Sequence, residues 1–246
     1  MPDWQAEAII LSVRPHGEGS AVISVLTADY GRHAGLVRGG ASSKMRGIMQ
    51  PGNRVRVSWR ARLSEQLGQM QIELTQSVPA LLLDSPLRLS GVASMCALLD
   101  GALPEREAQP GLFEGSAALL DLIVLDDDNV GWVEGYVRWE LGLLAAVGYR
   151  LDLARCVASG QTSDLAFVSP KSGGAVARHQ AGSFASRMLA LPMFLGGISC
   201  GKHDWIAGLD LTGYFLSKRV FAAHNLDLPA QRKRLADMVD SRYNGK

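Results

Sequence analysis

The most constraining stretch of this sequence is residues 54–63, in which Val55, Val57, Trp59, Ala61 and Leu63 alternate with Arg54, Arg56, Ser58, Arg60 and Arg62. Strict alternation over ten residues suits an extended strand, because successive side chains leave a strand on opposite faces. The apolar set must cover a core. Four guanidinium groups then line the other face at intervals of about 6.6 Å, broken at Ser58. Like charges this close repel one another, so the face must meet solvent. Two readings fit such a row: an edge strand whose cations prevent edge-to-edge pairing, or a surface for a polyanion such as a nucleic-acid backbone.

The neighbouring segment favours the polyanion. In residues 30–52, Arg32, Arg38, Lys44 and Arg46 are interspersed with six glycines and small polar residues, with no hydrophobic stripe. A segment of this composition does not bury itself, and cations on mobile glycine-rich loops suit close approach to phosphates. Further β-branched and aliphatic runs at 5–13, 21–27 and 32–37, and an alternating run at 70–76, are separated by turn residues such as Pro15, Gly17, Gly19, Pro51 and Gly52. Five short strands without a convincing helix among them predict a small antiparallel β-barrel or sandwich, ending near Pro79.

Beyond residue 80 the period becomes helical. Ser85 followed by Pro86 is an N-cap with proline at the first helical position, ahead of an apolar face of Leu87, Leu89, Val92, Met95, Cys96 and Leu99. Further helices are predicted over 112–125, 130–147, 183–191 and 204–224. Asp126, Asp127 and Asp128 are adjacent rather than spaced as calcium ligands are, so they read as a solvated loop. Trp132, Tyr136 and Trp139 lie near one another on the third helix, as core or as a partner groove, with core the default. The tail carries Lys218, Arg219, Arg232, Lys233 and Arg234, either a second basic patch or a charged exposed end.

A net charge of +1 conceals a division of labour. Residues 1–80 hold nine Lys/Arg against six Asp/Glu, residues 81–140 three against eleven, and residues 141–246 thirteen against seven. Basic ends around an acidic middle allow a polyanion to bind one part of the chain without binding all of it. Cys96, Cys156 and Cys200 are odd in number and widely spaced, which predicts no disulfide framework and a reducing, cytoplasmic setting. No apolar run approaches the ~20 residues that span a bilayer, so no membrane is expected as a partner.

Between residues 151 and 182 a glycine-rich insert interrupts the helices. A structural zinc ribbon there would need four ligands, usually paired cysteines two residues apart. Only Cys156 is present, Ser159 stands three residues on, and His179 is the sole possible ligand in the second half, so no metal is expected. Packing around Leu165, Phe167 and Val168 must hold the insert instead. No nucleophile–base signature and no phosphate loop of the G-x-x-x-x-G-K-[ST] type occurs, and the histidines at 16, 33, 179, 203 and 224 are scattered. A binding protein, not an enzyme, and one without a cofactor, is expected.

Taken in order, the blocks EAIIL, LTADYGRHAGLVRGGASSK with QPG after it, the helical middle, RCVASG and FVSPKSGGAV resemble the RecO family of bacterial recombinational-repair mediators over nearly the whole chain. The resemblance implies an α+β multidomain protein: an N-terminal OB-fold barrel (1–80), then a mainly α-helical domain (81–246) bearing a zinc-ribbon-like insert at about 151–182. That insert is degenerate here, since family members that bind zinc carry a C-x-x-C pair at each end and this chain keeps one cysteine of the four. The family also implies binding of single- and double-stranded DNA, annealing of complementary strands, and work with RecR to place RecA on DNA coated by single-strand-binding protein. In the family the helical domain receives that protein's acidic C-terminal tail. A nucleoid-associated location follows. Combined with the residue patterns, it puts DNA on Arg32, Arg38, Lys44, Arg46, Arg54, Arg56 and Arg60. Single-strand binders commonly stack bases on aromatic rings. The first domain has only Trp4, Tyr30 and Trp59, with Trp59 facing inward, so phosphates would be gripped and bases left free to pair. The competing class is an RNA-binding or ribosome-associated scaffold on the same barrel, since fold does not settle function.

Overall fold

The computed structural model of the chain describes residues 2–126, 131–198 and 204–244. Asp127, Asp128, Val130, Cys200 and His203 lie outside these. Two compact units divide at Met1–Leu125 and Asp126–Lys246.

The first unit is built on five strands, β1 (Asp3–His16), β2 (Ser20–Thr27), β3 (Gly31–Val37), β4 (Arg54–Arg60) and β5 (Gln69–Gln76), closed into a barrel in the order β1-β2-β3-β5-β4. The barrel is not wholly antiparallel. Its closing pair, β3 with β5, is parallel and rests on the single register pair Leu36 and Gln69. Two strands entering from opposite ends of the chain segment must run the same way to complete the circle once β1 has paired with both β2 and β4. The alternation of β4 works as expected inside, with Val55, Val57 and Trp59 in the core beside Ile10, Ile23 and Val25. It also ends early. Arg60 pairs with Gln69, the chain turns through 61–68, and the Trp59 indole donates to the Leu67 carbonyl at 2.9 Å. Leu63, expected on the inner face, therefore lies in the turn and is exposed.

Two helices complete this unit, α1 (Pro86–Ala102) and α2 (Pro110–Leu125). Helix α1 begins at Pro86 as expected, but the Ser85 hydroxyl makes no capping bond. It buries Val92, Met95, Cys96 and Leu99, and the Cys96 thiol reaches the Ile10 carbonyl of β1 at 3.5 Å. The change from strand to helix thus falls near residue 80, while the compact unit runs on to Leu125.

The second unit starts with α3 (Gly131–Ala146), whose Trp132 N–H is capped by the Asp126 carboxylate at 2.9 Å. Trp132, Tyr136 and Trp139 are all buried and touch in sequence, which makes them core rather than a groove. Strands β6 (Asp152–Cys156), β7 (Leu165–Val168), β8 (Gly174–Ala177) and β9 (Leu189–Ala190) form a sheet in the order β6-β8-β7-β9. Leu165 and Val168 are buried in it. Of the helix expected over 183–191 only a 3-10 helix at Gly182–Arg187 forms. One α-helical turn, α4 (Arg178–Ala181), stops at Gly182, whose φ of +48° and ψ of −132° leave the helical region, and Leu189–Ala190 pair with β7. Helix α5 (Asp204–Phe215) widens into a π-helical turn at Leu216–Phe221 before a 3-10 turn at Ala222–His224.

In helix α6 (Ala230–Asn244) one of the tail cations, read either as a second basic patch or as a charged exposed end, is neither. Arg232 is 1% exposed. Its guanidinium donates to both oxygens of the buried Glu140 carboxylate, at 2.5 and 3.0 Å, and to the Leu209 carbonyl at 2.8 Å, while the Thr212 hydroxyl also donates to Glu140. Burial works against the charge of Arg232, and Glu140 more than restores it. One buried ion pair thereby ties α6 to α3 and α5.

Candidate nucleic-acid interface

The basic loop after β3 is a built cap rather than a free excursion. Residues 38–52 turn at Gly39, form a 3-10 turn at Ser43–Met45 and return to β4. Met49 is buried in the barrel core and Met45 packs against it. Gly40 sits so close that a Cβ there would meet Met49 Cε at 3.0 Å and Ala21 Cβ at 3.1 Å. The Asn53 amide donates to the carbonyls of Gly47 and Ile48, both at 2.9 Å, and Gln50 donates to Arg46 O at 2.9 Å. Two methionines, invisible as a hydrophobic stripe because they are four apart in a segment of glycines, thus anchor a loop that the composition alone leaves mobile.

That anchoring leaves three cations outward. Arg38, Lys44 and Arg46 are exposed, and among the described residues none of them takes part in an ion pair. Beside the loop runs a groove of about 610 Å³ that Arg38 and Met45 share with Arg60 of β4, Trp4 and Gln5 of β1 and Gln71 of β5. The groove brings Arg38 and Arg60 to one opening.

The remaining arginines of the expected set have carboxylate neighbours. Arg56 faces Glu7 on β1 and Glu73 on β5, its direct cross-strand partners, at 3.0 and 3.5 Å. Arg60 stands 3.7 Å from Asp3 across the β1–β4 pair, both side chains well exposed. The self-repulsion of the row is therefore relieved within the sheet by carboxylates from neighbouring strands. Arg54 and Arg32 point to the helices. Arg54 donates to Ala117 O at 2.6 Å and to Asp121 at 2.7 Å on α2. Arg32 donates to Leu103 O at 2.8 Å and lies 3.5 Å from both Asp100 and Glu105. These two are placed to hold the barrel to its helices.

The barrel's rings are spent on one another. Trp4 stacks on Tyr30 at 4.3 Å and on Trp59 at 5.8 Å, and His33 meets Trp4 and Trp59 edge-on at 5.0 and 4.7 Å. His33 is 4% exposed and neither ring nitrogen has a partner. Burial first, and the Arg106 charge second, push its pKa down to about 4, so the ring is neutral. The outlook of the site is thus cationic and polar, with no free stacking platform among these rings.

In the insert, Cys156 is buried, and the Ala177 N–H donates to its sulfur at 3.3 Å. Burial raises the thiol, and hydrogen bonds from Ser159 and from the N–H groups of Ala177, Ala158 and Ser159 more than offset it, bringing the pKa to about 7. His179 faces Asp164 at 3.5 Å. Among the described residues no group of three or more His, Cys, Asp or Glu could hold a metal ion, so the donor set does not fit zinc. No helix among them is long and apolar enough to cross a membrane.

Comparison with known proteins gives concordant matches for both ends of the chain. Residues 1–78 match the profile described as "Recombination protein O N terminal", and residues 83–226 the one described as "Recombination protein O C terminal". A protein named DNA repair protein RecO from Rhodospirillum centenum is 48% identical over 238 residues, covering 96% of this chain and 94% of its own. Proteins of the same name from Jannaschia sp. and Gluconacetobacter diazotrophicus are 45% and 43% identical over 239 and 247 residues, covering 97% and 99% of this chain and 96% and 97% of their own.

Proposed function

Since the chain belongs to the RecO family, we propose that it serves DNA repair and recombination by holding the phosphate backbone of DNA on the loop–groove face of its barrel. The observation that carries this reading is the contrast in pairing at that face: among the described residues Arg38, Lys44 and Arg46 lack carboxylate partners, while the arginines facing the helices are committed to them. Arg38, Lys44 and Arg46 make the primary phosphate contacts in this proposal. Arg56 and Arg60 contribute as their carboxylates are displaced, and Arg32 and Arg54 contribute mainly by fixing the barrel's frame.

The barrel order β1-β2-β3-β5-β4 supports reading this unit as an OB-fold, and the four-stranded insert as a zinc-ribbon-like module that packing holds without metal. A grip on phosphates with no open aromatic ring leaves bases available, which is what annealing two complementary strands requires. Binding to single- and double-stranded DNA, annealing, and cooperation with RecR and with the acidic tail of single-strand-binding protein to load RecA complete the proposal.

Salt titration tests it. Each phosphate contact on a single strand contributes about 0.7 to the slope of log K against log salt. Replacing Arg38, Lys44 and Arg46 together by alanine is expected to lower the slope by about 2 and to leave thermal stability unchanged. A slope equal to that of the unaltered chain would refute the assignment.

A further inference from the structure

We infer that the second unit carries its own polyanion site, formed by Arg150, Lys171, Lys218 and Arg219, which takes the phosphate backbone of a single nucleic-acid strand. Three separate segments meet there. The Arg219 guanidinium donates to the Lys171 carbonyl at 2.9 Å, joining the π-helical turn to the loop before β8. The backbone N–H of Asp152 donates to Gly173 O at 3.2 Å. A Cβ on Gly173 would stand 2.7 Å from the Leu151 side chain and 3.7 Å from the Phe215 ring. Leu151 and Phe215 thus pack against this loop, and Arg150 and Lys218 flank them in the chain, one and three residues away. The extra residue per turn in a π helix shifts the side chains that follow it, and such turns recur at functional sites. Here it carries both Lys218 and Arg219.

All four side chains are exposed, and among the described residues none forms an ion pair. Asp152, two residues from Arg150, lies 3.6 Å from Arg155. This is the opposite of β4, where Arg56 and Arg60 are each matched across the sheet. Unneutralised cations on turns from three segments repel one another and gain most from a ligand with several spaced negative charges. A strand of phosphates has that character.

This inference rests on the DNA-binding reading above and extends it: annealing involves two strands, and a second backbone site would let one chain contact both. The test uses the full chain with Arg150→Ala, Lys171→Ala and Lys218→Ala combined, sparing Arg219 for its bond to a carbonyl. Single-strand affinity is measured across salt concentrations, and annealing of complementary oligonucleotides is followed in parallel. A salt slope lower by about 2, with slower annealing and an unchanged melting temperature, is expected. An unchanged slope overturns the second site even where the barrel variant loses its own share. Loss of binding to an acidic peptide with the DNA slope intact overturns it in favour of a peptide dock. Absence of salt-dependent strand binding by the unaltered chain overturns both proposals together.

Discussion

Replacing Arg232 by methionine is expected to destabilise the second unit far more than any exposed substitution. The change removes the guanidinium that donates to both Glu140 oxygens and leaves a carboxylate of 0% exposure with Thr212 as its remaining side-chain donor. Leaving one member of a buried ion pair uncompensated costs about 3–5 kcal/mol. For a unit of this size that lowers the melting temperature by roughly 10 °C or more. Urea unfolding followed by tryptophan fluorescence in a Trp4→Phe, Trp59→Phe background, where Trp132, Trp139 and Trp205 of the second unit remain, reads this unit. The double variant Glu140→Leu with Arg232→Met removes both charges together and is expected to recover most of the loss, because an apolar pair of similar volume avoids the desolvation of two ions. The reasoning fails if the single variant costs less than about 1 kcal/mol, or if the double variant is as unstable as the sum of the two single ones.

His33 makes the first unit sensitive to acid. Its pKa falls from 6.5 to about 4 on folding, so the unfolded chain binds the extra proton and stability declines as pH drops through this window. The loss is about 2 kcal/mol at pH 5 and levels off near 3 kcal/mol below pH 4. His33→Phe should flatten the pH dependence of stability between 4 and 6.5 as measured by urea unfolding at each pH, and a profile identical to that of the unaltered chain would contradict the buried neutral ring. Cys156 offers a second titration: in a Cys200→Ser background its thiolate absorbance should rise with a midpoint near pH 7, while Cys96, pushed up to about 12 by burial, stays protonated. A midpoint at the ordinary thiol value would show that the N–H and hydroxyl donors around Cys156 do not hold the anion.

Much of the architecture is written in local patterns. The alternation of Val55, Val57 and Trp59 with arginine needs only the two-residue period of a strand to predict one buried face, and those three residues are buried. Pro86 starts α1. What a strand's outer face meets is another matter. Glu7 and Glu73 neutralise Arg56 because β1 and β5 lie on either side of β4, a pairing set by barrel closure between segments about fifty and seventeen residues away. The same closure sends Arg54 and Arg32 to helix carbonyls and leaves Arg38, Lys44 and Arg46 outward on a loop pinned by Met45 and Met49. Burial of Arg232 likewise required Glu140, ninety-two positions distant, to arrive at the same place. Residue type and spacing thus determine which side chains can carry charge or fill a core, because those are properties of the local chain; which charges remain free to act is decided by long-range neighbours, and only the tertiary structure brings those together.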